Sequence, residues 1–290
     1  MAITVNTNIG AMQAQRNLNV ATNKMNKAME RLSTGLRINN AGDDAAGLMI
    51  AKSLEAQQRG SEVAIKNSLD GTNMLQVAEG NLATMQDNLL RIRDLALQAM
   101  NGSNGFEQVK ALSSEASLRA SEIERTATGA KYGDFTLFDS GNPTNIYLQI
   151  GADWDPATNT IDIGGVFKEA KFSQLTGSSM SAATFSFLDG AGTSVISRTE
   201  FEQIIKDVDQ GIKSISARRG EIGATQARLE GTVEQLTIQN ENLAASRSRI
   251  MDADIAQESS NFIKYQILQQ ASSALLVQAN QTPNIAISLI

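Results

Sequence analysis

"IKSISARRGEIGATQARLEGTVEQLTIQNENLAASRSRI", residues 212–250, places an apolar side chain at every seventh position. Ile215, Ile222, Leu229, Leu236, Leu243 and Ile250 form one unbroken series. The intermediate positions are mixed: Ile212, Arg219, Gln226, Val233, Asn240 and Arg247. A seven-residue apolar repeat fits a helix that keeps one narrow stripe against another helix, and it does not fit the alternation of a strand. The repeat predicts a long coiled-coil helix. At ~1.5 Å per residue, Thr199 to Ile250 would give a rod of ~75 Å, so an elongated molecule is expected.

A second stripe runs upstream through Leu75, Ala78, Leu82, Met85, Leu89, Ile92, Ala96 and Ala99 and stops at the turn-forming "NGSNG" of residues 101–105. A further helix is expected to turn Val109, Leu112, Ala116, Ile123 and Ala127 inward and to end near Gly129. Nearer the start, Leu18, Ala21, Met25, Ala28 and Leu32 alternate steps of three and four. That pattern breaks at "STGLRINNAGDD", where Asp43 or Asp44 offers the next helix an N-cap. Helix is expected to return at Thr199, with Thr199 and Glu202 in a capping-box spacing.

The middle, from about Lys131 to Ser197, has a different grammar. Ile146, Leu148 and Ile150 alternate, as do Ile161 and Ile163, and "FSFLDGAGTSVI" predicts two short strands around an Asp189-Gly190 turn. The fold class expected is mainly α, with a small β-rich insertion between coiled-coil helical rods contributed by the N- and C-terminal parts. Three regions follow: 1–42 with 252–290, 43–130 with 199–251, and the insertion 131–198.

Composition removes most chemistry. There is no Cys and no His among 290 residues, so structural zinc, Cys nucleophiles and histidine general bases are absent. No enzyme activity, cofactor or metal is expected. "DWDPATNTID" (153–162) lacks the glycine that a calcium-binding loop needs at its sixth position, and reads as a polar turn. Asp43-Asp44 and Asp252/Asp254 read as helix caps. The net charge of −6 gathers into no basic field, so no nucleic-acid partner is expected. No stretch is apolar enough to span a bilayer, and no cleaved secretory leader is visible, so no membrane partner is expected either.

The two ends are unusual in another way. No side-chain charge occurs before Arg16, and none from Tyr265 to Ile290. The tail still keeps helical spacing through Ile267, Leu268, Ala271, Leu275 and Ala279. A polar but uncharged helix suits burial against similar helices, because amides find partners there and no ion is desolvated. Leu18, Met25, Leu32, Ile267, Leu268 and Leu275 are therefore expected to serve assembly of many copies.

"AITVNTNIGAMQAQRNL" (2–18), "LSTGLRINNAGDDAAGLMIA" (32–51) and "NLAASRSRIMDADIAQESSNFIKYQILQQASSALLVQANQTP" (242–283) resemble the terminal signatures of bacterial flagellin. The resemblance implies a secreted subunit of the extracellular flagellar filament. Its terminal helices would form an inner tubular core, its longer helices a surrounding shell, and its insertion an outward-facing part. It also implies an export chaperone on the C-terminal helix, and filament cap and hook-junction proteins as neighbours. "LLRIRDLALQ" (89–98) is similar to the family's Toll-like innate-receptor motif, with Arg91, Leu95 and Glu115 at its principal positions. A hook–filament junction protein has similar ends but does not build long filaments. A secreted coiled-coil binding module would instead form an oligomer of fixed size.

Overall fold

The structure, a computed structural model, describes residues 7–138, 146–153, 155–177, 185–188, 192 and 194–288. The Asp189-Gly190 turn lies outside the described residues. Among the described residues there are seven α-helices: α1 (Ile9–Thr34), α2 (Ala45–Ala99), α3 (Phe106–Gly129), α4 (Pro156–Asn159), α5 (Phe172–Thr176), α6 (Arg198–Met251) and α7 (Ile255–Ser288). Among the same residues four short strands, β1 (Lys131–Tyr132), β2 (Phe135–Thr136), β3 (Tyr147–Gln149) and β4 (Thr160–Asp162), make two antiparallel pairs, β1–β2 and β3–β4. The chain is thus mainly α with small sheets in its middle. It divides into two compact units, Met1–Gln58 with Glu241–Ile290, and Arg59–Asn240.

In the unit Arg59–Asn240, the seam of α2 from Leu75 to Ala99 is buried throughout, and Leu75, Leu82 and Leu89 are fully enclosed. Opposite it α6 buries Phe201, Ile204, Val208, Ile215, Ile222 and Leu229, and α3 buries Val109, Ala116, Ala120 and Ile123; all join one core. Polar ties flank the seam. Arg219 donates to Glu79 at 2.9 Å and to Gln86 at 2.6 Å, and Arg93 donates to Asp209 at 2.8 Å. Arg219 thus occupies a heptad position that periodicity leaves polar, and it joins α6 to α2 by charge-assisted hydrogen bonds.

The insertion contributes to that same core. Leu148 pairs with Ile161 across β3–β4, and Ile163, Phe167, Phe172 and Leu175 are enclosed. Phe172, Phe185, Phe187 and Phe201 form a chain of ring contacts with centroids 5.3, 5.6 and 5.5 Å apart, which ties the insertion to the first turn of α6. The capping box expected at Thr199/Glu202 sits two residues earlier. Ser197 N donates to Glu200 Oε2 at 2.7 Å, and Glu200 N donates back to Ser197 Oγ at 3.4 Å. The Ile196 amide is engaged by the Phe187 carbonyl at 3.2 Å, so the chain is extended up to Ser197 and the helix starts immediately after it.

The β3–β4 segment lies close on α2. Asn67 Nδ2 donates to the Gln149 carbonyl at 3.0 Å, and a Cβ placed on Gly60 would stand 2.8 Å from Ala152 Cβ and 3.0 Å from its Cα. Gly60→Ala should gain about 1 kcal/mol of helix propensity but lose about 1–3 kcal/mol to overpacking against backbone, a net loss. Gly223→Ala meets nothing within 4 Å and should stabilise the unit by up to about 1 kcal/mol. Urea denaturation of the two variants is expected to move the midpoint in opposite directions.

Candidate assembly surface

Within the unit Met1–Gln58 with Glu241–Ile290, α1 and α7 pack along their length. Their pairings fix an antiparallel arrangement. Asn8 Nδ2 donates to the Ala279 carbonyl at 2.7 Å, Gln269 Nε2 to Thr22 Oγ1 at 3.2 Å, and Arg31 Nη1 to Glu258 Oε1 at 2.9 Å. The Lys24 ammonium sits 5.5 Å from the centre of the Tyr265 ring. On α1 the contact face is built on Ala14, Ala21 and Ala28, all buried, with Leu18, Met25 and Leu32 half-buried between or beside them. Alanine at every seventh position allows the helix backbones to approach closely, and the amides of Asn8 and Gln269 find partners across the contact.

The face that α7 turns to α1 shares only Ala279 with the row Ile267, Leu268, Ala271, Leu275 and Ala279. The row that is buried or half-buried runs through Glu258, Phe262, Tyr265, Gln269, Ser272, Leu276 and Ala279, with Ser259 and Asn261 half-buried beside its start. Ile267 and Leu275 point away, at 59 % and 62 % exposure, and Leu268, Ile263 and Val277 are exposed as well. The α7 helix is apolar on faces that α1 does not cover. Counting a heptad from Phe262, rather than from the most hydrophobic residues, would have found the contact face, since 262, 265, 269, 272, 276 and 279 alternate steps of three and four. On α1, Ile9, Met12, Val20 and Met29 are also exposed.

Between these helices and their neighbours in sequence the chain turns twice. Gly35, at φ 71°, ends α1 in the left-handed region that glycine enters without strain. Residues 35–37 and 251–253 then cross: Arg37 N donates to the Met251 carbonyl at 2.6 Å, Ala253 N to the Gly35 carbonyl at 2.9 Å, and the Arg37 side chain to the Ile250 carbonyl at 2.7 Å. Both acidic pairs act as caps and turn partners. Asp44 Oδ1 accepts from Gly47 N at the start of α2, and Asp254 Oδ1 accepts from the amides of Ala256 and Gln257 at the start of α7.

Asp43 accepts from Lys27 at 2.6 Å and from the amides of Asn39 and Asn40. The Lys27 hydrogen bond, followed by those two amides, lowers its pKa to about 2. A depressed carboxylate pKa contributes stability that is complete above the usual carboxylate value and fades as pH falls through the folded value. The turn at residues 39–43 is therefore expected to hold at pH 5 and to loosen between pH 4 and 2. Amide exchange at Asn39 and Asn40 measures it, and Asp43→Asn should show rapid exchange already at pH 5.

In the unit Arg59–Asn240, Arg91 grips Glu115 with two hydrogen bonds, 2.8 and 3.2 Å long. That contact holds the Glu115 carboxyl below the usual range and raises the Arg91 guanidinium. Leu95 is fully enclosed, so Arg91 and Glu115 share a surface that Leu95 does not reach. Of the heptad series, Ile215, Ile222, Leu229 and Leu236 are buried, while Leu243 and Ile250 are half-buried. Among the described residues no three carboxylates gather in a metal-binding group, and no helix is long and apolar enough to cross a membrane. Asp162 instead accepts from the amides of Ile146 and Gly164.

The comparison with known proteins meets this geometry at both ends of the chain. The family described as "Bacterial flagellin N-terminal helical region" matches residues 5–142, and "Bacterial flagellin C-terminal helical region" matches residues 205–290. The chain belongs to the bacterial flagellin family. A flagellin of Halalkalibacterium halodurans is 38 % identical, with 99 % of each chain covered. A flagellin of Bacillus subtilis is 37 % identical, again with 99 % of each covered. The "Flagellar filament 33 kDa core protein" of Treponema phagedenis is 35 % identical over 99 % of both. Flagellins are a structural family whose members form extracellular flagellar filaments.

Proposed function

We infer that this chain is a structural subunit that polymerises into the bacterial flagellar filament, the propeller of swimming motility. One observation carries the reading: α7 leaves Ile263, Ile267, Leu268, Leu275 and Val277 exposed on faces that α1 does not cover. Apolar side chains left uncovered along several turns favour a helix that is surrounded, and further copies of the same helix pair supply the missing cover. Full-length relatives named as flagellins and as a filament core protein support it.

Residues 1–42 with 252–290 are assigned to an inner core, 43–130 with 199–251 to a shell, and 131–198 to the outward part. Residues 18, 25, 32, 267, 268 and 275 take part in copy-to-copy packing. Before export, a chaperone masks the exposed face of α7; the subunit is then secreted and meets the cap and junction proteins of the filament. The Arg91–Glu115 surface is the place at which a Toll-like innate receptor would engage. Electron microscopy of purified protein added to sheared filament seeds tests the central reading. Long fibres growing from the seeds are expected; an oligomer of fixed size, or addition without elongation, would overturn it.

A further inference from the structure

The described methionines span the range of exposure, with Met25, Met100 and Met251 half-buried between the extremes. Among the described residues, Met12, Met29 and Met49 are 62, 48 and 75 % exposed, whereas Met74 and Met85 are at 8 and 0 %. All three exposed thioethers belong to the unit that holds α1 and α7. Met12 lies on an open groove of about 460 Å³ that it lines with Ala11, Gln15, Arg16, Leu276 and Asn280. Met49 is followed by Ile50, also exposed. The methionines most open to solvent in the free chain are thus in this unit, Met12 and Met29 in the region assigned above to the inner core and Met49 in the region assigned to the shell.

We propose that Met12, Met29 and Met49 are oxidation sites, and that their conversion to sulfoxide by a peroxide blocks addition of the subunit to the polymer. The inference rests on the filament reading. In the step, a lone pair on the thioether sulfur attacks one peroxide oxygen, the O–O bond breaks, and an S–O bond forms. The sulfur loses two electrons, and the departing hydroxide takes up a proton to leave as water. A flexible apolar side chain becomes a polar one, which interdigitating helices bury only at the expense of an unpartnered S=O dipole. On the filament reading the same side chains are covered by neighbouring copies, so oxidation would discriminate against free subunits. Met74 and Met85, enclosed in the other unit, are the internal reference that reacts slowly.

Monomer is treated with hydrogen peroxide, mapped by peptide mass spectrometry, and offered to seeds alongside untreated monomer. Met12, Met29 and Met49 are expected to gain oxygen before Met74 and Met85, and the critical monomer concentration to rise by at least about tenfold, since an unpartnered polar group resists burial. Methionine sulfoxide reductase with a thiol reductant should restore elongation. The combined variant Met12→Leu, Met29→Leu and Met49→Leu, judged against its own untreated rate, should lose sensitivity to peroxide.

Treated monomer that elongates like untreated monomer overturns the proposal and leaves the filament reading intact. So does equally fast oxidation of Met74 and Met85, or loss of elongation that the reductase does not reverse. Untreated protein that never adds to seeds overturns both.

Discussion

Leu229→Asp is expected to leave residues 59–240 without a cooperative fold at neutral pH. Leu229 is fully enclosed in the core that joins α2, α3 and α6. Its truncation alone removes about 2–5 kcal/mol, and a carboxylate left there without a partner adds several more. Against a total stability of about 5–15 kcal/mol, the sum is decisive. The carboxyl escapes part of the penalty by taking up a proton, so acid should partly rescue the variant. Leu118→Asp, on α3 at 70 % exposure, is the control and should stay within about 0.5 kcal/mol. Thermal melts followed by circular dichroism separate the two; a Leu229→Asp protein that melts like the parent would remove the seam from the explanation of the fold.

The same contrast explains what the sequence discloses and what it hides. The seams of α2 and α6 are legible because one face of each is buried along many turns, and a strict repeat survives in the residue order. β3 and β4 are legible for a similar reason, since Leu148 and Ile161 sit on one face of a pair that alternates. The phenylalanine chain is not legible. Phe172, Phe185, Phe187 and Phe201 come from a short helix, an irregular segment and a helix start, and no period links them.

The face that α7 turns to α1 is hidden for the opposite reason. Its apolar residues occur on all sides, so hydrophobicity points nowhere, and the face against α1 is chosen by Tyr265, Gln269 and Ser272, which carry polar groups able to find partners across close-packed alanines. The cap at Ser197 is ambiguous in sequence because Ser197/Glu200 and Thr199/Glu202 share the spacing. Only the engagement of Ile196 by Phe187 decides between them.

Ile267→Asp combined with Leu275→Asp should abolish polymerisation while sparing the free chain. Both side chains are mostly exposed and point away from α1 in the single copy, so the substitutions leave the Arg31–Glu258 and Asn8–Ala279 ties in place. Surface changes of this kind alter the stability of a free chain by about 0.5 kcal/mol or less each. Once neighbouring copies surround α7, each carboxylate must be buried without a partner, at several kcal/mol apiece. Two kcal/mol per site is already a conservative figure, and two sites then raise the critical monomer concentration by at least about a thousandfold. Sedimentation after seeding measures the concentration, and circular dichroism of the unseeded chain reports whether α1 and α7 still pair. The ratio of the two effects is the informative quantity. A large loss of assembly with an unchanged melt assigns these faces to contacts between copies. Loss of both would mean that α7 needs Ile267 and Leu275 to fold against α1, and undiminished assembly would mean that the filament leaves this face of α7 in water.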